Sequence, residues 1–168
     1  ASVLISSHDR NAAVFTFRGA NTHLEPDYLA DGAFAVDLVY VSGLSNKSAD
    51  CFPAIVDKAK AHGALVAANP GVRQLSARGG EFQENLAHID ILAINRREAD
   101  ALVPNLVAKF GEGGPALPLE AGEQPPALLA RGLTGGGFAM SLPAFLAALH
   151  ELGIRYVVVT DGRGGAFL

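Results

Sequence analysis

The chain has 168 residues, of which 49% are hydrophobic and 18% are charged, and this length and composition suit one domain with an apolar core. Thirteen basic and seventeen acidic residues give a net charge of −4, so the chain lacks the basic excess that favours nucleic acid or anionic membranes as partners. A single cysteine cannot form an internal disulfide, and no apolar run approaches the roughly 20 residues that cross a bilayer. We therefore expect a soluble, cytoplasmic protein.

The first residues of the chain predict a β-hairpin. Ser2 to Ser7 and Ala12 to Arg18 alternate in part between apolar and polar residues, and residues 8–11 between them offer turn chemistry. We therefore expect residues 1–19 to form a small β appendage and residues 20–168 to form the main body of the fold.

Beyond the hairpin, the chain alternates between helical and strand patterns. Thr22 and Glu25 fit a capping box, and Pro26 fits the first turn of a short helix that ends near Asp31. The other expected elements are strands at 36–42, 64–69, 89–95, 155–160 and from 166 onward, and helices at 50–62, about 81–87, 96–103 and 142–152. Pro104 is expected to break the helix that precedes it.

This alternation predicts the fold class. Short apolar strands such as 156–159, separated by amphipathic helices, are typical of a parallel sheet covered by helices. We predict a three-layer α/β domain with a mostly parallel sheet, right-handed crossovers and a small β-hairpin on its N-terminal side. Residues 111–137, rich in Gly and Pro, predict a surface loop or insertion that includes a short helix at 127–131.

The candidate functional residues follow the expected strands. Open parallel sheets bind ligands beyond the carboxyl ends of their strands, so polar residues at those ends are the first candidates. The four sets are Ser42-Gly43, Asn69-Pro70-Gly71, Asn95-Arg96-Arg97-Glu98 and Thr160-Asp161-Gly162-Arg163-Gly164-Gly165. All four sets are expected to converge on one edge of the sheet.

The last of these sets has two interpretations. Thr-x-Gly-x-x-Gly after a buried strand can form a concave turn whose backbone N–H groups bind an anion. It is not a Walker A loop, because no Gly-Lys-Ser/Thr follows, and the residues after Gly165 predict a strand rather than a helix. The alternative is a Gly-rich hairpin turn without a ligand.

The Asn95-x-x-Glu98 sequence also has two interpretations. An Asn at the N-cap with a Glu three residues later is an ordinary capping box, which stabilises a helix start by about 1 kcal/mol and requires no ligand. In the functional alternative, Asn95 faces a nucleotide phosphate and Glu98 orders water around Mg²⁺. From the local sequence alone, the capping box is the favoured interpretation of Asn95 and Glu98.

Three further polar residues could contact a ligand. Arg18 and Asn21 flank the point where the hairpin joins the main body and could clamp a hydroxylated ligand, although a strand end and a turn explain them equally. Asn69 could contact a ligand or complete the Pro70-Gly71 turn. By contrast, the five histidines show no metalloprotease spacing, and Cys51, with no companion cysteine, is expected to be an ordinary helix residue.

Taken together, these residues resemble the ribokinase-like (PfkB) carbohydrate kinase family. The resemblance rests on five segments that occur in the family's order along nearly the whole chain, with 111–137 as a longer, unmatched connection. The segments are Phe17-Arg18-Gly19-Ala20-Asn21, Val39-Tyr40-Val41-Ser42-Gly43, Asn69-Pro70-Gly71, Asn95-Arg96-Arg97-Glu98-Ala99 and Val157-Val158-Val159-Thr160-Asp161-Gly162-Arg163-Gly164-Gly165.

The resemblance implies ATP-dependent phosphorylation of a sugar hydroxyl under a small β lid. The hairpin would be part of that lid, which in the family often forms a dimer clasp, and Arg18, Asn21 and Asn69 would lie on the sugar side. Glu98 would match the family's residue near Mg²⁺. The residues on the nucleotide side would be Asn95, Thr160, Asp161, Gly162, Arg163, Gly164 and Gly165.

The departures from the family are equally specific. The Gly-Ala-Gly-Asp motif that supplies the family's aspartate base is absent, as is the early Gly-Gly strand. The resemblance therefore implies a catalytic base beyond Leu168 and no catalytic residue within this chain. We expect a central portion that is incomplete at both ends and inactive alone. Asp161 lies in the phosphate turn and is not a substitute for the base.

Two other functional classes are weighed against the kinase. A non-catalytic α/β module that binds phosphate or nucleotide is the alternative, because the Gly-rich turn can hold an anion without any catalytic base. A nicotinamide-dependent enzyme is disfavoured, because no early Gly-x-Gly-x-x-Gly lies between a strand and a helix.

Overall fold

A central five-stranded sheet organises the chain in a computed structural model, which describes residues 2–6, 12–77, 79–113 and 125–168. The strands are β1 (Ser2–Ser6), β2 (Ala12–Thr16), β3 (Leu38–Ser42), β4 (Leu65–Asn69), β5 (Ile91–Asn95), β6 (Leu133–Gly135), β7 (Phe138–Met140), β8 (Tyr156–Thr160) and β9 (Ala166–Phe167). The helices are α1 (Phe52–Ala61), α2 (Val72–Ala77), α3 (Gly79–Glu84), α4 (Arg96–Phe110), α5 (Ala127–Arg131) and α6 (Leu142–Glu151). Short 3₁₀ turns lie at Gly19–Thr22, Pro26–Tyr28, Asp31–Phe34, Asn46–Cys51, Leu86–His88 and Gly162–Gly164.

The sheet has the order β3-β4-β5-β8-β9. Its first four strands are parallel, and β9 returns antiparallel to β8. Helices connect the parallel strands, as buried parallel strands require. The predicted fold class, an α/β domain with a mostly parallel sheet flanked by helices, is therefore confirmed.

All the crossovers run in one direction across the sheet. Because the order of the parallel strands never reverses, connections of one hand place the helices on the same face. That face is buried at Val66, Leu92 and Val157. On the opposite face Tyr40 is 62% exposed and Tyr156 is 56% exposed. The described residues therefore supply one helix layer, so the second helix layer of the predicted three-layer arrangement is not among them.

The core beneath the helices follows the helical patterns in the sequence. The predicted apolar stripe of α1 is buried in full at Phe52, Ile55, Val56 and Ala59. The ring of Phe52 packs against that of Phe82, with 4.9 Å between the centroids. In α6, the residues Leu142, Phe145 and Leu149 of the predicted stripe are buried, and Ser141 caps the helix by accepting a hydrogen bond from the Ala144 N–H.

The short helix expected to end near Asp31 is replaced by successive 3₁₀ turns, so that prediction is wrong. The Thr22 hydroxyl donates to the carbonyl of Gly19 at 2.8 Å, which closes the preceding turn instead of capping a following helix. Pro26 does begin a turn, but only the three-residue turn Pro26–Tyr28. The segment lacks an uninterrupted run of helical backbone because Gly and Pro recur within it.

The predicted break at Pro104 is also wrong, since α4 continues to Phe110. Pro104 has no N–H to donate to the carbonyl of Asp100, which is the usual cost of an interior proline. Here β6 packs against this turn of α4, and its Thr134 N–H donates to the Asp100 carboxylate at 2.9 Å. Gly135 lies so close that a Cβ there would be 2.0 Å from the Asp100 carbonyl oxygen. Tertiary packing thus covers the turn that the proline weakens.

The expected loop at 111–137 contains ordered elements where the structure describes it. The predicted short helix is present as α5, and β6 pairs with β7 in an antiparallel hairpin. Residues 114–124 lie outside the described part of the chain. The expected turn at 8–11 lies outside it too.

The N-terminal hairpin stands apart from the core. β1 and β2 pair from Ser2 with Thr16 to Ser6 with Ala12, and every residue of both strands is exposed. The exposed side chains include Leu4 at 65% and Phe15 at 64%. No helix in the described residues is long and apolar enough to span a membrane.

Asp90 joins one helix and three strands at the amino-terminal edge of the sheet. Its carboxylate accepts hydrogen bonds from Lys60 of α1 and from the Val66 N–H of β4. Its carbonyl accepts from the backbone N–H groups of Arg155 and Tyr156. Because Asp90 directly precedes β5, these contacts fix where β4, β5 and β8 begin.

We expect Asp90→Asn to lower the free energy of unfolding at neutral pH by about 2 kcal/mol, because hydrogen bonds to a charged group contribute more than neutral ones. Urea unfolding measures the change. Asp57→Asn on the exposed side of α1 is the matched control and is expected to have little effect. Equal effects of the two substitutions would contradict the role assigned to Asp90.

The wild-type protein and Asp90→Asn should also differ in how their stability depends on pH. Burial alone would raise the pKa of the Asp90 carboxyl, but the hydrogen bonds from Lys60 and the Val66 N–H, with the charge of Arg155, hold that pKa below 3.8. A lowered pKa contributes stability that is present above the unfolded-state value and is lost as the pH falls through the folded-state value. Acid should therefore destabilise the wild-type protein more steeply than Asp90→Asn, as measured by unfolding between about pH 5 and pH 2.

We expect Gly135→Ala to lower the free energy of unfolding by about 2 kcal/mol, because the added methyl group must displace β6 from the Asp100 carbonyl. Thermal and urea unfolding measure the loss. Gly32→Ala is the control, since no heavy atom lies within 4 Å of a Cβ at Gly32 and its φ is not positive. A neutral Gly135→Ala would show that β6 does not rest on α4.

Candidate functional site

The carboxyl ends of the parallel strands form one edge of the sheet. Ser42 of β3 is the register partner of Asn69 of β4, and Asn95 of β5 is the register partner of Thr160 of β8. Neighbouring strands lie about 4.8 Å apart, so each pair is directly adjacent. The structure thus brings the strand-end segments of the sequence to one edge.

Asn95 and Glu98 form a complete capping box at the start of α4. The Asn95 side-chain oxygen accepts a hydrogen bond from the Glu98 N–H at 3.1 Å, and Glu98 Oε2 accepts from the Asn95 N–H at 2.8 Å. Glu98 is buried and Asn95 is exposed. The local interpretation of this motif is therefore confirmed, and it places Asn95 at the open edge with its backbone oriented by Glu98.

The Thr160–Gly165 segment forms a tight turn between β8 and β9. The Asp161 N–H donates to the Gly165 carbonyl at 2.9 Å, and the Gly164 N–H donates to the Asp161 carbonyl at 2.8 Å. Gly162 and Gly165 have φ values of +55° and +94°, which residues with a Cβ rarely adopt. The predicted strand after Gly165 is present as β9. This geometry agrees with the interpretation as a Gly-rich hairpin turn. The turn is also exposed to solvent, so a ligand can reach it.

Arg131 of α5 joins this turn from the insertion. Its Nη2 donates to both carboxylate oxygens of Asp161, at 2.9 and 3.0 Å. The Asp161 side chain is 13% exposed and that of Arg131 is 40% exposed. The carboxylate folds back over Gly164, where a Cβ would lie 2.8 Å from Asp161 Oδ2. Asp161 is therefore engaged by a neighbouring cation.

Leu168, the last residue of the chain, directly follows β9 and is exposed. Its apolar side chain has no group that could take a proton from a hydroxyl, so Leu168 itself is not a candidate catalytic residue. The carboxylate of the preceding turn, Asp161, is held by Arg131 rather than free to act as a base. That the catalytic base lies beyond Leu168 stays a prediction.

Arg18 and Asn21 lie against the segment that follows β3. Arg18 Nη1 donates to the Ser45 hydroxyl at 2.6 Å. The carbonyl of Asn21 accepts from the Ser48 hydroxyl at 2.9 Å, and that hydroxyl also accepts from the Leu24 N–H. The hairpin return is thus fastened near the strand end at Ser42.

Asn69 spans two strands. Its Nδ2 donates to the carbonyl of Ala93 in β5 at 2.7 Å. Beyond it, a Cβ at Gly43 would lie 3.2 Å from the Gly71 nitrogen, so the loops after β3 and β4 are closely packed. Gln74 is buried nearby and accepts from the Leu44 N–H at 3.2 Å. Asn69 therefore has a structural partner at the edge where a ligand was expected.

The remaining chemical candidates are structural. In the described ranges no group of three or more His, Cys, Asp and Glu side chains is arranged to hold a metal ion. Cys51 is buried, and its thiol donates to the Leu24 carbonyl at 3.2 Å. Burial, with the negative charges of Asp50 and Glu25, raises the pKa of this thiol. A raised pKa disfavours the reactive thiolate.

Sequence reasoning did not single out three residues that shape this edge. Ser48 and Gln74 are buried polar residues that bind backbone groups, and Arg131 pairs with a residue 30 positions later. The sequence predicted the helix that carries Arg131, but helical periodicity cannot indicate a partner in a distant turn. Isolated Ser and Gln residues carry no pattern that distinguishes a buried bridge from an exposed side chain.

No family model matches the chain, and no curated protein matches it. Among solved structures, the chain is similar to the crystal structure of a PfkB protein from Polaromonas sp. JS666, with a TM-score of 0.60 and 14% sequence identity. The similarity covers 99% of this chain and 51% of that chain, so this chain spans about half the length of that protein. At this identity, the comparison shows that the chain has a PfkB-like fold.

We expect Asn95→Ala to lower the free energy of unfolding by about 1 kcal/mol, because the Glu98 N–H loses its side-chain acceptor. Asn95→Asp is the matched control, since a carboxylate also caps a helix start. Chemical denaturation measures both variants. Equal destabilisation by Ala and Asp would show that the cap does not support α4.

Proposed function

We propose that the chain is the nucleotide-binding portion of an ATP-dependent carbohydrate kinase, which phosphorylates a sugar or sugar-like hydroxyl. One observation carries this proposal: the capped start of α4 and the Gly-rich turn lie side by side, because Asn95 and Thr160 are register partners. In open α/β sheets, ligands bind at such strand ends. The PfkB-like fold supports the same assignment.

The nucleotide phosphates would lie against the Gly-rich turn. Thr160, Gly162, Arg163, Gly164 and Gly165 are exposed there, and Arg163 carries a positive charge, while the N–H groups of Gly164 and Gly165 already donate within the turn. Glycine at the positive φ positions removes the Cβ atoms that would keep a phosphate at a distance. Asn95 completes the proposed nucleotide side, and Asp161 belongs to it by its place in the turn, with its carboxylate held by Arg131.

Glu98 is our candidate for the residue that positions Mg²⁺. A hard divalent cation prefers carboxylate oxygens and retains several waters, and Glu98 is a carboxylate in the first turn of α4. Glu98 Oε2 is used by the Asn95 N–H, so the carboxylate would act through ordered water, with its orientation fixed by the cap. Magnesium neutralises phosphate charge during phosphoryl transfer.

The sugar would bind on the side of the hairpin return. Arg18 and Asn21 lie where the hairpin joins the main body, and Asn69 lies at the adjacent strand end. Arginine and amide groups suit a polyhydroxylated ligand, because they supply several hydrogen bonds in fixed directions. These three residues are our candidates for sugar contacts, and a base from beyond Leu168 would take the proton of the sugar hydroxyl in the longer protein.

The exposed hairpin would act as part of a lid and as a homodimer contact. Its strands expose Val3, Leu4, Ile5, Val14 and Phe15. A two-stranded hairpin is marginally stable alone in water, so we expect another protein surface to cover these apolar side chains. A second copy of the chain is the partner that we propose for it.

A non-catalytic nucleotide-binding module is the second candidate. The complete capping box favours it, because Asn95 and Glu98 satisfy each other without a ligand. Both candidates predict nucleotide binding, but only the kinase predicts that binding depends on Mg²⁺ through Glu98 and leads to phosphoryl transfer in the longer protein.

Calorimetric titration with a non-hydrolysable ATP analogue tests the proposal, with and without Mg²⁺. We expect Mg²⁺-dependent binding by the wild-type chain and a loss of about tenfold in the Mg²⁺-dependent affinity for Glu98→Gln, since groups that orient a metal's surroundings contribute about 10–100-fold. Glutamine keeps the cap, so the thermal midpoint should change little. Glu151→Gln, exposed near the end of α6, is the control.

The outcomes separate the two candidates. Nucleotide binding that ignores both Mg²⁺ and Glu98→Gln would favour the non-catalytic module. Absence of nucleotide binding by the wild-type chain would contradict both. For the longer protein, transfer of labelled phosphate to a panel of sugars identifies the acceptor, and failure with every sugar would contradict the kinase.

A further inference from the structure

The ion pair between Arg131 and Asp161 has a feature that a simple surface pair lacks. It connects α5, which belongs to the insertion, to the Gly-rich turn, and a single nitrogen, Nη2, donates to both carboxylate oxygens. Asp161 is largely buried, at 13% exposure, whereas most exposed ion pairs leave both partners in solvent. The carboxylate is thus held inside the turn.

A carboxylate in this position opposes anion binding. The turn encloses Asp161 so closely that a Cβ at Gly164 would lie 2.8 Å from Oδ2. A phosphate at the turn would therefore meet a negative charge at short range, and juxtaposed like charges are unfavourable. The described residues place one cation directly on that carboxylate, and it is Arg131.

We propose that Arg131 is a positioning residue that neutralises Asp161 and thereby allows the turn to accept a nucleotide polyphosphate. This inference rests on the proposed function, since it assigns how the same site tolerates its own acidic residue. Arg131 acts through Asp161 and need not contact the nucleotide. Its effect is electrostatic: it removes a repulsion, and it fixes the carboxylate on the α5 side of the turn.

A purely structural role for Arg131 makes a different prediction. If the ion pair only anchored α5, its loss would lower the thermal midpoint. The nucleotide affinity would then be the same whether Asp161 kept its charge or was replaced by Asn. Helix α5 has another anchor, the buried side chain of Leu128. Loss of the ion pair should therefore leave α5 in place while the charge of the turn changes.

The experiment is a charge-rescue series measured by calorimetric titration with the non-hydrolysable ATP analogue and Mg²⁺. We expect Arg131→Gln to weaken binding about tenfold or more, because Asp161 then faces the phosphates unneutralised. Arg131→Lys, which keeps the charge, should retain most of the affinity. Asp161→Asn introduced into Arg131→Gln should restore binding to within about threefold of the wild type, because it removes the repulsion.

Arg155→Ala is the matched control. It removes one arginine that also contacts an aspartate, Asp90, but at the opposite edge of the sheet, so affinity should not change. Thermal midpoints are recorded for every variant. If Arg131→Gln fails to fold, the double variant Arg131→Gln/Asp161→Asn replaces it: binding within about threefold of the wild type is expected, and loss of binding by a folded double variant would overturn the inference.

The measured affinities distinguish failure of this inference from failure of the proposed function. Unchanged affinity in Arg131→Gln, with wild-type binding intact, would overturn the inference and leave the proposed function standing. Weak binding that Asp161→Asn does not rescue would also overturn it, because Arg131 would then act directly on the ligand or through folding alone. Absence of binding by the wild-type chain would overturn the proposed function, and the inference with it.

Discussion

The architecture depends on Asp90, whose carboxylate and backbone together hold the amino-terminal ends of three parallel strands. Its carboxylate binds α1 and β4, and its carbonyl accepts from the backbone N–H groups of Arg155 and Tyr156 at the start of β8. β5 and β8 begin in register at Ile91 and Tyr156 and each contain five residues, so they also end together, whereas β4 begins two residues earlier relative to β5. The alignment of Asn95 with Thr160 at the far edge follows from this arrangement. Backbone contacts of Asp90 at one edge of the sheet therefore align the two strand ends of the candidate site at the other.

The periodicity of apolar residues in the sequence was sufficient to predict most of the fold. The apolar stripes of α1 and α6, and the strand–helix alternation from β3 to β8, predicted both the fold class and the elements, because burial on one side leaves a regular trace along the chain. The two errors have different origins. A distant contact overrides local preference at Pro104, which lies inside α4 where a hairpin about 30 residues later packs over it. At Thr22 a local alternative prevails, because its hydroxyl donates to the Gly19 carbonyl three residues earlier and closes a 3₁₀ turn.

The candidate site was predictable to the level of segments but not of contacts. Strand-end positions identified Asn69, Asn95 and Thr160 as residues of one edge, since parallel topology alone brings carboxyl ends together. The sequence also predicted the capping box, because its spacing is local. The pairing of Arg131 with Asp161 left no local trace, and the roles of both residues in ligand binding remain proposals that the variants test.

The insertion that carries α5 and β6 connects the two halves of the candidate site. Within a few residues it contributes Arg131, which binds the turn after β8, and Thr134, which binds Asp100 in the first half of α4. One short covalent segment therefore braces both the nucleotide turn and the helix that begins at Asn95. Such linked contacts open and close as one cooperative unit rather than as separate loops. Native-state hydrogen exchange would then report the Gly-rich turn and the first half of α4 as one foldon.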